Sequence, residues 1–522
     1  MLTSDCLVPL TDSERELFVE VVPEDHLLRR IPQFIDFEEF RPSLESAYTG
    51  FGRPPLDCVF MLKLELLAHQ YRLSNREVIA AARFNIAYRL FLGISLKSPL
   101  PHHSLLTYFR QRLGAARLQP VFDALVGQAR RLGLVKDRLR LKDATHIIAN
   151  IAVPSTIRLV AEVRDELLDA LRPFAAARVA EEEQQAQSIR QGTEDAKDEE
   201  RLVQRVAHLR AVLAWADEVP AQDLFTKGSE KSREQLRAAL ALAHKVLADR
   251  EPGARDRLVS VHDPDARSGR HGDWYDGYLL DTAMDADSEI LTAVNVLPAN
   301  GDEGADAAQL ITQEEQAQGN DVAAVSLDGA GYRGSVLREL TDPAGLHLEV
   351  FTPPTEAPPM AGFTAEQFTL TVVDGQRTLT CPAGATSRKS HRNSNDTGWE
   401  FRFREADCSA CPLRSACLAN PTAKRRNVTK NDYEAEYTAA QAKAKTPEYA
   451  AVRREHPAIE RKLAELVRRH DLRHARYRGR MRVLYQAIMT SLVVNLKRIV
   501  RLLCAGPDRS QGTVRAALVS TG

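Results

Sequence analysis

Val322-Ala323-Ala324-Val325-Ser326-Leu327-Asp328-Gly329-Ala330-Gly331-Tyr332 is an apolar run that stops on a carboxylate and is followed at once by small residues. Six residues of this kind predict a buried strand, 322–327. The glycines after it leave open space beside the acid. Upstream, Tyr275–Asp281 and Ile290–Leu297 flank the turn Asp285-Ala-Asp-Ser288 and predict an antiparallel hairpin, with a helix at about 304–317 between it and the run. Downstream, a short helix leads to a strand at Leu346–Phe351. Further back, residues 135–153 shift toward period two, and Arg138-Leu-Arg-Leu-Lys-Asp143 predicts a strand ending near Asp143. Strand, hairpin, helix, strand, helix, strand is the pattern of an α/β core. Its mixed sheet is flanked by helices, and sites in such sheets gather at strand ends.

The chain of 522 residues is too long for one core, so two to four modules are expected. With 27% charged and 44% hydrophobic residues it has the composition of a globular protein. No apolar run approaches the roughly 18–20 residues of a membrane span. The start, Met1-Leu-Thr-Ser-Asp-Cys6, lacks the features of a secretory signal. Seven cysteines, four of them clustered, fit a reducing compartment, so the chain is expected in the cytoplasm.

An N-terminal all-α domain is expected over 1–130. Leu56–His69 is strongly apolar and entered through Arg53-Pro54-Pro55. Ser74-Asn-Arg-Glu77 forms a capping box for a helix over 78–92. A third helix, Ser104–Leu113, carries Arg110 and Arg112 beside apolar residues. Three short helices with basic tips suit a DNA reader or a plain helical bundle. The α/β core would then run over 131–157, 256–355 and the basic helices of 426–503. A charged insertion at 158–255 reads as a helical hairpin or a linker. A cysteine-rich β insertion is expected over 356–425, and a flexible tail over 504–522.

Net charge is −1, yet residues 451–503 hold 14 Lys/Arg against 4 Asp/Glu. Such a run is a solvated helix face or a phosphate-binding surface. It contains the third notable acid. Ile459, Leu463, Leu466 and Val467 form an apolar stripe, which places Glu460 on its flank and Glu465 toward solvent. Two carboxylates at strand ends and one on a helix can hold two Mg²⁺ ions about 3.5–4 Å apart around a reacting phosphodiester. Asp143, Asp328 and Glu460 are therefore the candidate metal-binding and catalytic residues. An acid ending a strand can equally be a turn former.

Cys408-Ser-Ala-Cys411, Cys417 and upstream Cys381 stand between sheet-like stretches at 368–373, 377–381 and 400–404. CxxC spacing lets two sulfurs reach one Zn²⁺, so a closed, structural, ribbon-like zinc site is expected, with His391 in reserve. Reduced thiols without metal are the alternative.

Three sets of residues then carry a resemblance. The first is Pro23–Arg30, Tyr48–Leu73, Ser74–Glu77 and His103–Arg110. The second is Asp263-Pro-Asp-Ala-Arg267, Tyr275-Asp-Gly-Tyr278, Asp328 and Gly331-Tyr332. The third is Ile459–Leu466, Arg476-Tyr-Arg-Gly479 and Asn495-Leu-Lys-Arg498. Together the chain resembles the DDE transposases of bacterial insertion sequences, in the branch with an N-terminal helical domain and a cysteine-bearing insertion before the last acid. The resemblance implies an RNase H-like catalytic domain with Asp143, Asp328 and Glu460 as its triad, using Mg²⁺ or Mn²⁺. It implies binding of terminal inverted repeats and target double-stranded DNA by a dimer or larger assembly, cleavage that frees a 3′-hydroxyl, and strand transfer. A DNA-binding copy without catalysis is the alternative. Arg110, Arg112, Arg468, Arg476, Arg478, Arg480, Lys497 and Arg498 are the cations expected to meet DNA. The chain departs from the family pattern where Arg453 and His456 replace a Tyr and an Arg, where Val467 replaces a Lys, and where His102 replaces an acid.

Overall fold

The computed structural model describes residues 7–48, 56–221, 225–226, 228–355, 362–420 and 422–504. The Arg53-Pro54-Pro55 entry, Cys6 and the tail beyond 504 lie outside these. Six strands form the central sheet: β1 (Arg140–Ile148), β2 (Arg267–His271), β3 (Asp273–Asp285), β4 (Leu291–Pro298), β5 (Ala324–Ser326) and β6 (Glu349–Phe351). Their order is β2-β3-β1-β5-β6, with β4 also on β3. β3 is antiparallel to β1, from Arg140↔Asp285 to Ile148↔Gly277, and antiparallel to β2 and β4. β5 runs parallel to β1 (Arg140↔Val325, Leu141↔Ser326), and β6 runs parallel to β5. Parallel pairs need crossovers. The helices Glu303–Gln318 and Gly334–Thr341 supply them.

Side chains alternate across a strand, so the two faces of this sheet have different partners. Leu141 and Ile147 share a core with Ile459, Leu463 and Leu466 of the helix Pro457–His470 and with the helix Arg480–Cys504. Val325 and Leu327 pack on the other side against Leu310, Ile311 and Leu337. Asp143 and Asp328 fall on the first face by this alternation.

The sequence places the end of the first strand near Asp143, but β1 continues five residues beyond it, through Ala-Thr-His-Ile-Ile. β3 pairs with it along that whole length, which keeps it extended. Strands expected over 322–327 and 346–351 shorten to three residues each, because only these register with a neighbour.

In the N-terminal region the box at Ser74 forms: its hydroxyl accepts from Glu77 N (3.3 Å) and Glu77 accepts from Ser74 N (2.8 Å). The helix expected over 78–92 is two, Asn75–Phe84 and Ile86–Leu92, split where Asn85 caps the second by accepting from Tyr88 N. Ser104–Arg131 runs far past Leu113, bending at Gly114 (φ 60, ψ 179). These helices share their core with the helix Arg480–Cys504. Asn495, within that helix, is buried and satisfies both the N–H and the C=O of Leu291 (2.9 and 2.8 Å), anchoring the start of β4.

Thr156–Gly192, Asp198–Ala216 and Glu230–Ala248 pack around Leu167, Leu209, Leu236 and Val246, so the charged insertion is a helical bundle with its own core. In the cysteine-rich segment two small antiparallel sheets close on Phe368, Leu379, Phe401, Phe403 and Val428.

Candidate active site

Parallel pairing of β1 with β5 sets the geometry. Leu141 stands opposite Ser326, so continuing the register brings Asp143 level with Asp328. Asp143 is half-buried and its Oδ1 accepts from Ala144 N (2.8 Å). Asp328 Oδ1 accepts from Ala330 N (3.0 Å) and caps the 3₁₀ turn Gly329–Gly331, while its carbonyl accepts from Thr352 Oγ1. The capping role and the strand-end position coexist. Burial pushes the Asp143 carboxyl up to about 7; the charges of Asp328 and Glu303 push the same way, against the Ala144 amide and Lys142. Burial leads because it penalises the charged form of the carboxyl.

Behind the strand, Lys142 is buried; its ammonium pairs with Asp281 (2.9 Å) and donates to the carbonyl oxygen of Glu303 (2.5 Å). This fixes the start of the helix Glu303–Gln318 against β1. Burial raises the Glu303 carboxyl, Lys142 lowers it and Asp328 raises it further. Glu303 was not among the expected site residues. Its place after the N-cap Asp302 looks like an ordinary complement to the helix dipole, and only the register of β1 brings it near the aspartates.

Glu460 enters from the helix Pro457–His470. His456 Nδ1 and Ser326 Oγ share a hydrogen bond (3.0 Å), and Arg453 donates to Ser326 Oγ (3.2 Å) and to the Leu327 carbonyl (2.7 Å). At the far end Ile148 N donates to Arg473 O. The helix therefore runs along β1, starting beside Ser326 and ending beside Ile148. Glu460 is one turn in, a rise of about 6 Å. Asp143 is two residues beyond Leu141, about 6.6 Å. The two stand at similar heights, with Glu460 about 40° around the helix from buried His456. Glu460 is exposed, and it is not among the charges that bear most on Asp143. Among the described residues, no group of three or more His, Cys, Asp or Glu has a metal-holding arrangement. The structure thus joins Asp143 with Asp328 and sets Glu460 on the facing helix at their level. Glu465, expected toward solvent, instead pairs with Lys462 and Lys497.

The second and third motif sets quoted above meet around another acid. Buried Asp263 Oδ1 accepts from Tyr278 Oη (2.5 Å) and from Gly479 N (3.0 Å), and Asp265 accepts from Arg480 N (3.0 Å). These bonds hold the Arg476–Gly479 loop against β3.

The expected DNA-facing cations divide. Arg112, Arg468, Arg478 and Arg480 are exposed, Arg112 over the Tyr48 ring and Arg478 donating to Asn150 O. Arg476 is half-buried. Arg110 lies in an internal pair with Glu65 (2.7 Å) and donates to Asn75. Lys497 is engaged by Glu465, and Arg498 by the Ser288 carbonyl (2.6 Å) and Glu289. Period and charge do not show that these three have internal partners.

Cys381, Cys408, Cys411 and Cys417 line one cavity, and burial together with the other three thiols raises the Cys417 thiol. No metal-holding group is found among the described residues, so the zinc expected from their spacing is without support here. His391 lies apart, near Glu400 (3.6 Å).

No helix among the described residues is long and apolar enough to cross a membrane. Residues 16–112 match a family model described as a transposase domain (DUF772), and residues 380–500 match one described as a transposase DDE domain. The second spans Glu460 and the cysteines; Asp143 and Asp328 lie outside it. No curated protein and no solved structure matches the chain.

Proposed function

Because the chain belongs to the insertion-sequence transposases of the DDE type, we propose that it binds the ends of its element and performs metal-dependent DNA cleavage and strand transfer. The observation that carries this reading is the pairing of β1 with β5, which sets Asp143 and Asp328 side by side beneath the helix that bears Glu460. The order β4-β3-β1-β5-β6, with β3 alone running against the other four, supports an RNase H-like core.

Asp143 and Asp328 fit a divalent cation: they are neighbouring carboxylates on one face, and the Asp143 anion is disfavoured without a counter-charge. They would hold Mg²⁺ or Mn²⁺, with Glu460 closing the site from the helix. The cation's chemistry is to activate an attacking oxygen and steady a leaving one. The protein's part is positional. Arg453 and His456 pin the end of β5 just before Asp328, so its carboxylate keeps its place relative to Asp143. Water, and then the 3′-hydroxyl it frees, can attack from one position in two in-line displacements. Work on two DNA ends calls for at least two copies of the chain. Arg112, Arg468, Arg476, Arg478 and Arg480 are the cations placed to meet the double-stranded DNA of the terminal repeats and the target.

A second reading concerns the third acid alone. Glu303 bears on both aspartates, so it competes with Glu460 for that role.

The test is a nicking and joining assay on DNA carrying the sequences that flank this gene. With Mg²⁺ or Mn²⁺ the wild type should nick and join, and Asp143→Ala, Asp328→Ala and Glu460→Ala should bind the DNA but leave it whole. Cleavage at the wild-type rate by Asp328→Ala would remove the triad.

A further inference from the structure

The helix Asn75–Phe84 turns one side to solvent. At 100° per residue, Arg76, Ala80, Arg83 and Phe84 fall within a single arc of about 100°. Phe84 is 81% exposed, the most exposed of the large apolar side chains among the described residues. A lone exposed phenylalanine would mean little. This one borders a cleft whose opposite wall is the segment Leu100–Leu105, with His102 and His103 at its lip and Ile79 in its floor. No carboxylate lines the cleft among the described residues. The guanidinium groups of Arg76 and Arg83 have no hydrogen-bond or ion-pair partner among those residues either. The nearest acid on the helix, Glu77, is engaged by Ser74 in the capping box.

The cleft also continues. Arg76 and His103 line a second pocket, whose far side carries Arg476 and Tyr477 from the C-terminal loop. A path therefore runs from Phe84 to the loop that Asp263 and Asp265 hold in place, and the carboxylate that lines its second pocket, Glu65, is paired with Arg110.

We propose that this cleft is a docking surface for double-stranded DNA, with Arg76 and Arg83 on backbone phosphates and the Phe84 ring wedged against a base step. The inference rests on the DNA-binding reading above and assigns it a surface. Charge complementarity selects the partner: two unpaired cations in a cleft that no carboxylate lines among the described residues suit a polyanion. They are seven residues apart, about 10.5 Å along the helix. A DNA strand carries one charge per about 3.4 Å of axis, so the two meet different phosphates. A flat apolar ring beside such contacts is how proteins unstack and bend a duplex.

The experiment measures binding of the full-length protein to a 40-base-pair duplex of arbitrary sequence, across a salt series. Arg76→Ala with Arg83→Ala should lower the slope of log affinity against log salt by about 1.8, at about 0.9 per phosphate. Arg76→Lys with Arg83→Lys should keep the slope, which separates charge from folding. Phe84→Ala should weaken binding about tenfold with the slope unchanged, a loss within the range of aromatic–base stacking, and Phe84→Trp should restore it. Wild-type affinity and slope in both alanine variants, with the wild type still binding and cutting DNA, would overturn the cleft assignment alone. Self-association lost in Phe84→Ala, with DNA binding unmoved, would also overturn it in favour of a protein interface. A wild type that binds no duplex would overturn this proposal and the DNA-binding reading together.

Discussion

Asp143 shows how a single residue can oppose the stability of the fold that holds it. Its carboxyl ordinarily titrates near 3.8 and is pushed up to about 7 by burial and by the charges of Asp328 and Glu303. The folded chain therefore keeps a proton that the unfolded chain has lost between those two values. Stability falls as pH rises through that window, and the loss is complete above it. At 1.36 kcal/mol per pH unit the effect is on the order of a few kcal/mol. Asp143→Asn should raise the Tm of metal-free protein at pH 8 and change it little at pH 4, as read by calorimetry. A Tm lowered at pH 8 would mean that the carboxylate is already compensated. Arg110 is the converse case. Its sequence neighbours suggest a DNA contact, yet its partner Glu65 lies 45 residues away and is fully buried. Arg110→Ala should cost about 3–5 kcal/mol in urea unfolding, because it leaves a buried carboxylate unpaired. Arg112→Ala, exposed, should cost under about 0.5 kcal/mol.

Among the elements, the strand that leads to Asp328 and the hairpin before it are legible because an apolar run, a turn and a glycine pair each have a local cause. The continuation of β1 past Asp143 is not, since it depends on pairing with β3 more than a hundred residues later. The bundle at 156–248 reads ambiguously for a related reason. Its core residues are spread over three long, highly charged helices and show as a core only once these pack. Asn495 is a clearer case of function hidden in a plain motif. It takes the place of a strand neighbour for Leu291 at the start of β4, so Asn495→Ala strands a buried N–H and a buried C=O. At about 1–3 kcal/mol for each unsatisfied group, a loss of about 2–5 kcal/mol in denaturant unfolding is expected. A loss under about 0.5 kcal/mol would show that the edge is held by other contacts.

Across the whole molecule, the acids come from parts of the chain separated by insertions; two sheet neighbours bring Asp143 to Asp328, and the proposed site takes Glu460 from the helix that runs along β1. The approach of Asp143 to Asp328 follows from strand register. The third acid depends on how the helix Pro457–His470 lies on β1, which Arg453, His456 and Arg473 fix through backbone and hydroxyl contacts that leave no pattern in the sequence. The cysteines are another case, since two sheets and two short helices bring Cys381, Cys408, Cys411 and Cys417 to one cavity although Cys381 lies 27 residues upstream of Cys408. The central claim, that Asp143, Asp328 and Glu460 share one divalent cation site, is tested most directly by Mn²⁺ titration monitored by electron paramagnetic resonance. Wild type, Asp143→Asn, Asp328→Asn, Glu460→Gln and Glu303→Gln would be compared in the full-length protein. The account predicts binding that weakens at least tenfold in each of the first three variants and stays near wild type in Glu303→Gln. Unchanged binding in Glu460→Gln, with loss in Glu303→Gln, would contradict it.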